Sequence, residues 1–262
     1  TVWKEIYQIV IGKCYSAETL GQYTRAHQFG SIFSSNLTSI VQRVSYPVLS
    51  NIQDDKQRLK AGYQKLIKVT MLLTYTCMLG LAAIAKPMVL TLIGEQWLQS
   101  VPFLQIICLQ MMLYPLHAIN LNMLQVQGRS DLFLKLEILK KVISVGPLLL
   151  GIFVNIYWML WGSVISGFIS YYLNAYYSGR FINYTIKEQI RDILPSFIVA
   201  SLMAISVYML SYIDLSPVLL LGIQLFSGLI LIVVLCEVLK LDAYLELKNI
   251  LLSFLNKFRN GK

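Results

Sequence analysis

Eight apolar stretches, of 14 to 31 residues and parted by short polar breaks, decide what this chain can become. A helix needs about 20 mostly apolar residues to cross roughly 30 Å of hydrocarbon. In lipid every backbone N–H and C=O must be satisfied within the segment, so stretches of that kind fold as helices. They fall near 2–15, 22–50, 63–93, 101–127, 131–154, 157–179, 191–213 and 216–239. The expectation is an all-α, polytopic integral membrane protein with about eight transmembrane helices. The breaks, "SAETLG", "NIQDDKQR", "GEQW", "QGRSD" and "IDLSP", are too short for a folded domain outside the bilayer.

Composition agrees: 56% of residues are apolar and 13% charged, with a mean hydropathy of +0.63, where a soluble domain carries roughly a quarter charged residues. Cys14, Cys77, Cys108 and Cys236 lie one per segment in apolar surroundings, the setting of core cysteines. Helical pattern starts at Thr1 with no basic n-region or cleavage site, which reads as the rear portion of a longer protein.

Most of the 22 Lys and Arg sit in alternate breaks: Arg43 to Lys68, Arg129 to Lys141, Arg180 to Arg191, and Lys240 onward. By the positive-inside rule those breaks and the C-terminus are cytoplasmic, so the net charge of +9 records topology and contact with anionic headgroups. It is not read as a nucleic-acid footprint. After the last span, Tyr244, Leu247, Leu251, Phe254, Leu255 and Phe258 form an apolar face expected to lie along the inner leaflet.

One span departs from the pattern. In "YTRAHQFGSIFSSNLTSIVQR" the residues Thr24, Gln28, Ser31, Ser35, Thr38 and Gln42 recur every three or four positions, with His27, Ser34 and Ser39 beside them. Ala26, Phe29, Phe33, Leu37, Ile40 and Val44 form the other face. Small hydroxyls often do no more than let helices pack closely. That account fits Arg25, His27, Gln28, Asn36 and Gln42 poorly, because such groups at membrane depth must face protein or water. The stripe is expected to line an aqueous cavity. Gln110, His117 and Asn120 share a face of a second segment, beside a kink expected at Pro115. Lys86, near the outer end of its helix, either snorkels to headgroups or points inward. Gly162, Ser166 and Ser170 make a small-residue ridge suited to helix contact, and Tyr171, Tyr172, Tyr176 and Tyr177 an interfacial belt.

No GxxxxGK[ST], HExxH, GxSxG or GxGxxG occurs, so nothing points to an ATP site, a catalytic residue, a metal or a bound cofactor.

In "LGQYTRAHQF", "SSNLTSIVQRVSYPVLSNIQDD", "LIGEQWLQSVPFLQI" and "YPLHAINLNMLQVQGRSDLFLKLEILKK" the chain resembles bacterial polysaccharide biosynthesis proteins, the Wzx-type oligosaccharide flippases of the multidrug/oligosaccharidyl-lipid/polysaccharide exporter superfamily. The similarity runs through most of residues 1–150 and more loosely onward. It implies a MATE-like flippase fold, with 1–180 as the second six-helix bundle, 181–262 as two further helices with a cytoplasmic amphipathic tail, and the first bundle absent. It also implies a transporter in the bacterial inner membrane that carries a lipid-linked oligosaccharide, on undecaprenyl diphosphate, from the cytoplasmic to the periplasmic leaflet for lipopolysaccharide or exopolysaccharide synthesis. Cations suit a diphosphate, hence Arg25 first and Lys86 second; Gln28, Ser31, Ser35, Asn36, Thr38, Gln110, His117 and Asn120 are the candidates for the sugar path. Expected partners are that substrate, membrane lipids and polysaccharide polymerase or assembly proteins, with a proton or Na⁺ as possible coupling ion.

Two rival functions differ in what they need. A drug or metabolite antiporter of the same superfamily would want a cavity carboxylate, for which only Glu5 is placed deeply enough. A membrane glycosyltransferase would want acidic residues in a sizeable loop. The only acidic pair in a loop, Asp54 and Asp55, reads as a helix cap.

Overall fold

The computed structural model describes residues 2–249 and 252, with side chains from Glu5 onward up to Asn249 and that of Leu252. The outer part of the expected tail stripe, Leu251, Phe254, Leu255 and Phe258, lies outside the described residues. The described residues include ten α-helices, with further helical residues at 242–249, and no strand: α1 (Val2–Cys14), α2 (Ala17–Ser50), α3 (Lys56–Ala83), α4 (Ala85–Leu92), α5 (Ser100–Met111), α6 (Tyr114–Val126), α7 (Ser130–Phe153), α8 (Ile156–Gly179), α9 (Ile186–Met209) and α10 (Pro217–Val238).

Local chemistry sets the ends. Ser16 caps α2 by accepting from Thr19 N at 3.1 Å, and Asn155 caps α8 by accepting from Trp158 N at 3.0 Å. Asp55 accepts from Gln57 N and Arg58 N, at 3.0 and 3.1 Å, so α3 begins at Lys56, seven positions before the apolar run suggested. Thr185 and Glu188 close a capping box at α9. Gly128 turns the chain with φ 67° between α6 and α7. Beyond it Arg129 donates to both carboxylate oxygens of Asp131, at 2.9 and 2.8 Å.

Two expected helices are each divided. The run 63–93 breaks at Ile84, separating α3 from α4, and the run 101–127 breaks at Met112 and Leu113. Pro115 has no N–H, so the carbonyl of Met111, four residues earlier, has no donor in its own helix. Ser34 of α2 supplies one, its hydroxyl donating to Met111 O at 3.0 Å in a buried setting. The kink read from Pro115 is thus a break in which α6 starts afresh with the proline in its first turn.

Packing joins α2 to α5 and α6, α3 to α9, α7 to α8, and α5 and α6 to α8. α10 lies on α9 and α4. Close approach of α2 to α5 depends on Gly30: a Cβ there would stand 2.9 Å from Ile107 Cγ2 and 3.3 Å from Met111 Sδ. Fully buried Tyr63, Met71, Leu104, Ile107 and Leu116 fill the centre. Among them lies a polar junction, where Asn120 Oδ1 accepts from the hydroxyl of Tyr63, from Ser178 Oγ at 3.1 Å and from Gln189 Nε2 at 3.2 Å. These residues tie α3, α6, α8 and α9 together.

Four described segments are long and apolar enough to cross a membrane: Lys56–Ala83, Ser100–Val126, Ile186–Tyr212 and Pro217–Val238. α2, α7 and α8, of 34, 24 and 24 residues, are long enough but not among them, owing to their hydroxyls, amides, tyrosines and charges. α1 has only 13 residues. The eight stretches read from sequence are therefore all helical, and half of them are apolar enough to qualify as spans by composition.

Contacts gather the cation-rich breaks at one end of the bundle. Lys60 reaches Glu188 at 3.0 Å, Lys68 reaches both Asp192 and Asp242 at 3.3 Å, Lys65 pairs with Glu246, and the Arg129 guanidinium stands 5.7 Å from the Phe181 ring.

Candidate functional site

The three long helices that are too polar by composition surround one cleft of about 710 Å³, closed in by α1, α5 and α6. From α2 it takes Tyr23, His27, Ser31, Ser34, Ser35, Thr38, Ser39 and Gln42. At 1.5 Å per residue, Tyr23 to Gln42 covers about 28 Å, close to a hydrocarbon core's thickness. From α8 come Ser163, Ser166, Gly167 and Ser170, from α7 Glu137, Lys140, Lys141 and Ser144, and from α5 and α6 Gln110, Tyr114 and His117.

The hydroxyls are oriented by their own helix. Ser31 donates to Gln28 O at 2.9 Å, Thr38 to Ser34 O at 2.7 Å and Ser39 to Asn36 O at 3.0 Å, and Ser35 donates to Ser31 O. Each proton is turned back to the backbone, so the oxygen lone pairs are what the helix offers a ligand. A wall of acceptors suits a ligand rich in O–H donors.

Charge is unevenly placed. Glu5 shares the wall with Tyr23 and His27, towards the start of α2. Lys140 shares it with His117 and is paired with Glu137 one turn away on α7. Lys141 also lines the cleft and takes part in no ion pair among the described residues. His117 Nδ1 lies 3.2 Å from the side-chain amide of Asn174 on α8, within hydrogen-bond distance.

Of the residues singled out from sequence, Ser31, Ser35, Thr38, Gln110 and His117 come together on this cleft. Arg25, Gln28, Asn36, Asn120 and Lys86 do not line it. Arg25 donates to Gln28 Oε1 at 3.0 Å and stands 5.2 Å from the ring of Trp97, both α2 residues being exposed. Asn36 is exposed and donates to Ile32 O at 2.7 Å. Asn120 is fully buried in the four-helix junction, and Lys86 is exposed on α4. The physical reason is rotation. A helical period shows that a stripe exists, but packing against α5 and α6 decides which side is concave, and here the lining turns towards Tyr23, His27 and Ser34.

Sequence reasoning overlooked Glu137, Lys140 and Lys141 because it assigned the lysines to topology. Their spacing with Ser144, three to four residues apart, was the available signal. The ridge of Gly162, Ser166 and Ser170 divides in function: a Cβ at Gly162 would meet Leu150 Cδ1 at 3.1 Å and Pro147 Cα at 3.3 Å, whereas the two serines face the cleft.

Fold and cleft define the class: a helical, multi-pass membrane protein with a polar cavity about as deep as a bilayer. Residues 1–102 match the family described as polysaccharide biosynthesis protein, as the sequence blocks implied. The chain is 30% identical over 177 residues to an uncharacterized membrane protein in the cps region of Klebsiella pneumoniae, covering 66% of this chain and 35% of that protein. It is 25% identical over 143 residues to the lipopolysaccharide biosynthesis protein WzxC of Escherichia coli, covering 55% and 29%, and 29% identical over 127 residues to the teichuronic acid biosynthesis protein TuaB of Bacillus subtilis, covering 48% and 26%. The chain thus matches about a third or less of the length of these curated relatives. No solved structure matches it.

Proposed function

We propose that this chain forms part of a flippase that moves a lipid-linked saccharide, borne on a polyprenyl diphosphate such as undecaprenyl diphosphate, from the cytoplasmic to the periplasmic leaflet of a bacterial inner membrane. The observation that carries this reading is the acceptor-lined cleft that reaches across a bilayer's depth with two lysines in its wall. Sugar hydroxyls donate to Ser31, Ser35 and Thr38 and to the serines of α8, while Gln110 and His117 supply donors. The diphosphate goes to Lys140 and Lys141 in place of Arg25 and Lys86, because a dianion crossing the bilayer needs cations inside the passage. The polyprenyl tail remains in lipid, and the cycle is alternating access. Similarity to lipopolysaccharide and teichuronic acid biosynthesis proteins supports the substrate class. The cation-rich end faces the cytoplasm.

The test is the double variant Lys140→Gln/Lys141→Gln in cells whose surface polysaccharide depends on this protein. Surface polysaccharide should fall at least about tenfold with normal membrane insertion, since charge-assisted bonds to a phosphate are worth more than 1.4 kcal/mol together. Arg25→Ala should leave it close to wild type. Full polysaccharide in the double variant overturns the assignment.

Glu5 in the cleft wall favours a second reading, an antiporter that holds a cationic drug or metabolite. Efflux that persists after the sugar-lipid donor is depleted, with surface polysaccharide independent of the protein, would select it.

A further inference from the structure

A second cavity, of about 660 Å³, opens at the turn from α8 to α9 and shares no lining residue with the first. Two cations, Arg180 and Lys187, stand in its wall, and no acidic residue does. At the same end of the bundle three cations of α3 are matched, Lys60 with Glu188, Lys65 with Glu246, Lys68 with Asp192 and Asp242, while Lys56 and Arg58 enter no ion pair among the described residues but line neither cavity. Among the described residues neither Arg180 nor Lys187 enters an ion pair. Arg180 is nevertheless held in place. Its guanidinium lies 4.2 Å from the centroid of the Tyr176 ring and donates to that phenol's oxygen, and Tyr172 stacks on Tyr176 at 6.4 Å. Other polar groups in the wall are already engaged, Tyr184 with Asp192 at 2.7 Å and Thr185 with Glu188 at 3.0 Å. The two cations therefore await an anion that the protein does not provide.

Depth and shape narrow the kind of anion. α9 belongs to a segment able to cross the membrane from Ile186, so the turn before it sits at the water end of a span, the level of headgroup phosphates. Below the cations the wall continues as exposed Tyr172 and Ile190, an apolar and aromatic surface that water would leave unsatisfied and acyl chains would cover. We propose that this cavity binds an anionic phospholipid, with Arg180 and Lys187 on the phosphate oxygens and Tyr172 and Ile190 against the first carbons of the acyl chains. The site is separate from the transport cleft and holds whatever substrate that cleft carries.

Native mass spectrometry of the purified protein, mixed with dioleoyl phosphatidylglycerol, tests it. One phosphatidylglycerol should stay bound, and Arg180→Gln/Lys187→Gln should lower its affinity about thirtyfold, the effect of removing two interfacial cations. Lys56→Gln/Arg58→Gln, which removes equal charge outside the cavity, should keep it. Dioleoyl phosphatidylcholine should bind more weakly, and neither inorganic phosphate nor glycerophosphoglycerol at the same concentration should displace the lipid. Equal occupancy in wild type and the Arg180/Lys187 variant overturns the site, and equal loss in both double variants reduces it to overall charge. Displacement by the soluble phosphates would assign the cavity to a free anion and overturn the lipid.

Discussion

At the scale of single residues, the most informative contact is Ser34 Oγ to Met111 O. Ser34→Ala leaves a buried carbonyl without a donor, which costs about 1–3 kcal/mol. Thermal unfolding in detergent should show the loss. Pro115→Ala restores an N–H four residues beyond Met111, so Ser34→Ala should cost measurably less in that background, and a double-mutant cycle reads the difference directly. Independent costs in the two backgrounds would refute the bridge. Asn120→Ala makes the complementary case. It strips three donors of their acceptor at the junction with Tyr63, Ser178 and Gln189, and should destabilise by a similar about 1–3 kcal/mol. Because Asn120 lies away from the cleft, surface polysaccharide per inserted molecule should be retained. A side chain expected from sequence on the sugar path is thus placed in a junction of four helices and off the cleft. The choice was reasonable, since an intramembrane amide must find partners, and sequence alone does not show whether those partners are protein or ligand.

At the scale of elements, helix existence was legible throughout, and a break in continuity only where Pro115 marked it. Long apolar runs identified every helical region, and the polar breaks located the turns, because spans and loops differ so strongly in composition. Asp55 was recognisable as a cap from the loop acid that precedes "KQRLK". The division at Ile84 left no sign in the apolar pattern, which is indifferent to backbone hydrogen bonding. The same limit applies to the cleft. The stripe on α2 was readable, but its angular position depends on how closely α5 approaches, and that distance is set by Gly30. Gly30→Val should force α2 and α5 apart, since even a single added carbon would meet Ile107 at 2.9 Å. The expected destabilisation is about 1–3 kcal/mol by chemical denaturation, with Gly30→Ala milder. Unchanged stability in Gly30→Val would mean that the helices have slack at this crossing. Gly179 is held more tightly still, as a Cβ there would lie 2.0 Å from the carbonyl oxygen of Tyr184.

At the scale of the whole molecule, polarity is sorted by helix. α9 and α10 present apolar side chains outward, Phe226 and Leu229 being 69% and 67% exposed, as suits contact with acyl chains. α2, α7 and α8 bring polar side chains to the cleft, Ser34, Lys140 and Ser163 among them. Cysteines placed singly at Ser35, Ser166 and His117 should therefore react with a membrane-impermeant maleimide in the active protein, while one at Asn120 should not. Failure of all three to react would mean that the cleft is dry and the serines serve packing. The lysines of α7 show why this sorting was hard to read beforehand. Positive charge near a span end satisfies the topology rule wherever it points, so Lys140 and Lys141 were explained before their direction was known.

The interruption between α5 and α6 carries a consequence for movement. A continuous rod must tilt as one body, whereas these two shorter rods meet at an articulation spanned by the Ser34 hydroxyl and fixed on one side by a proline. Gln110 and His117 flank that joint and face the same space, so bending at the joint alone would change their separation without any helix having to unwind.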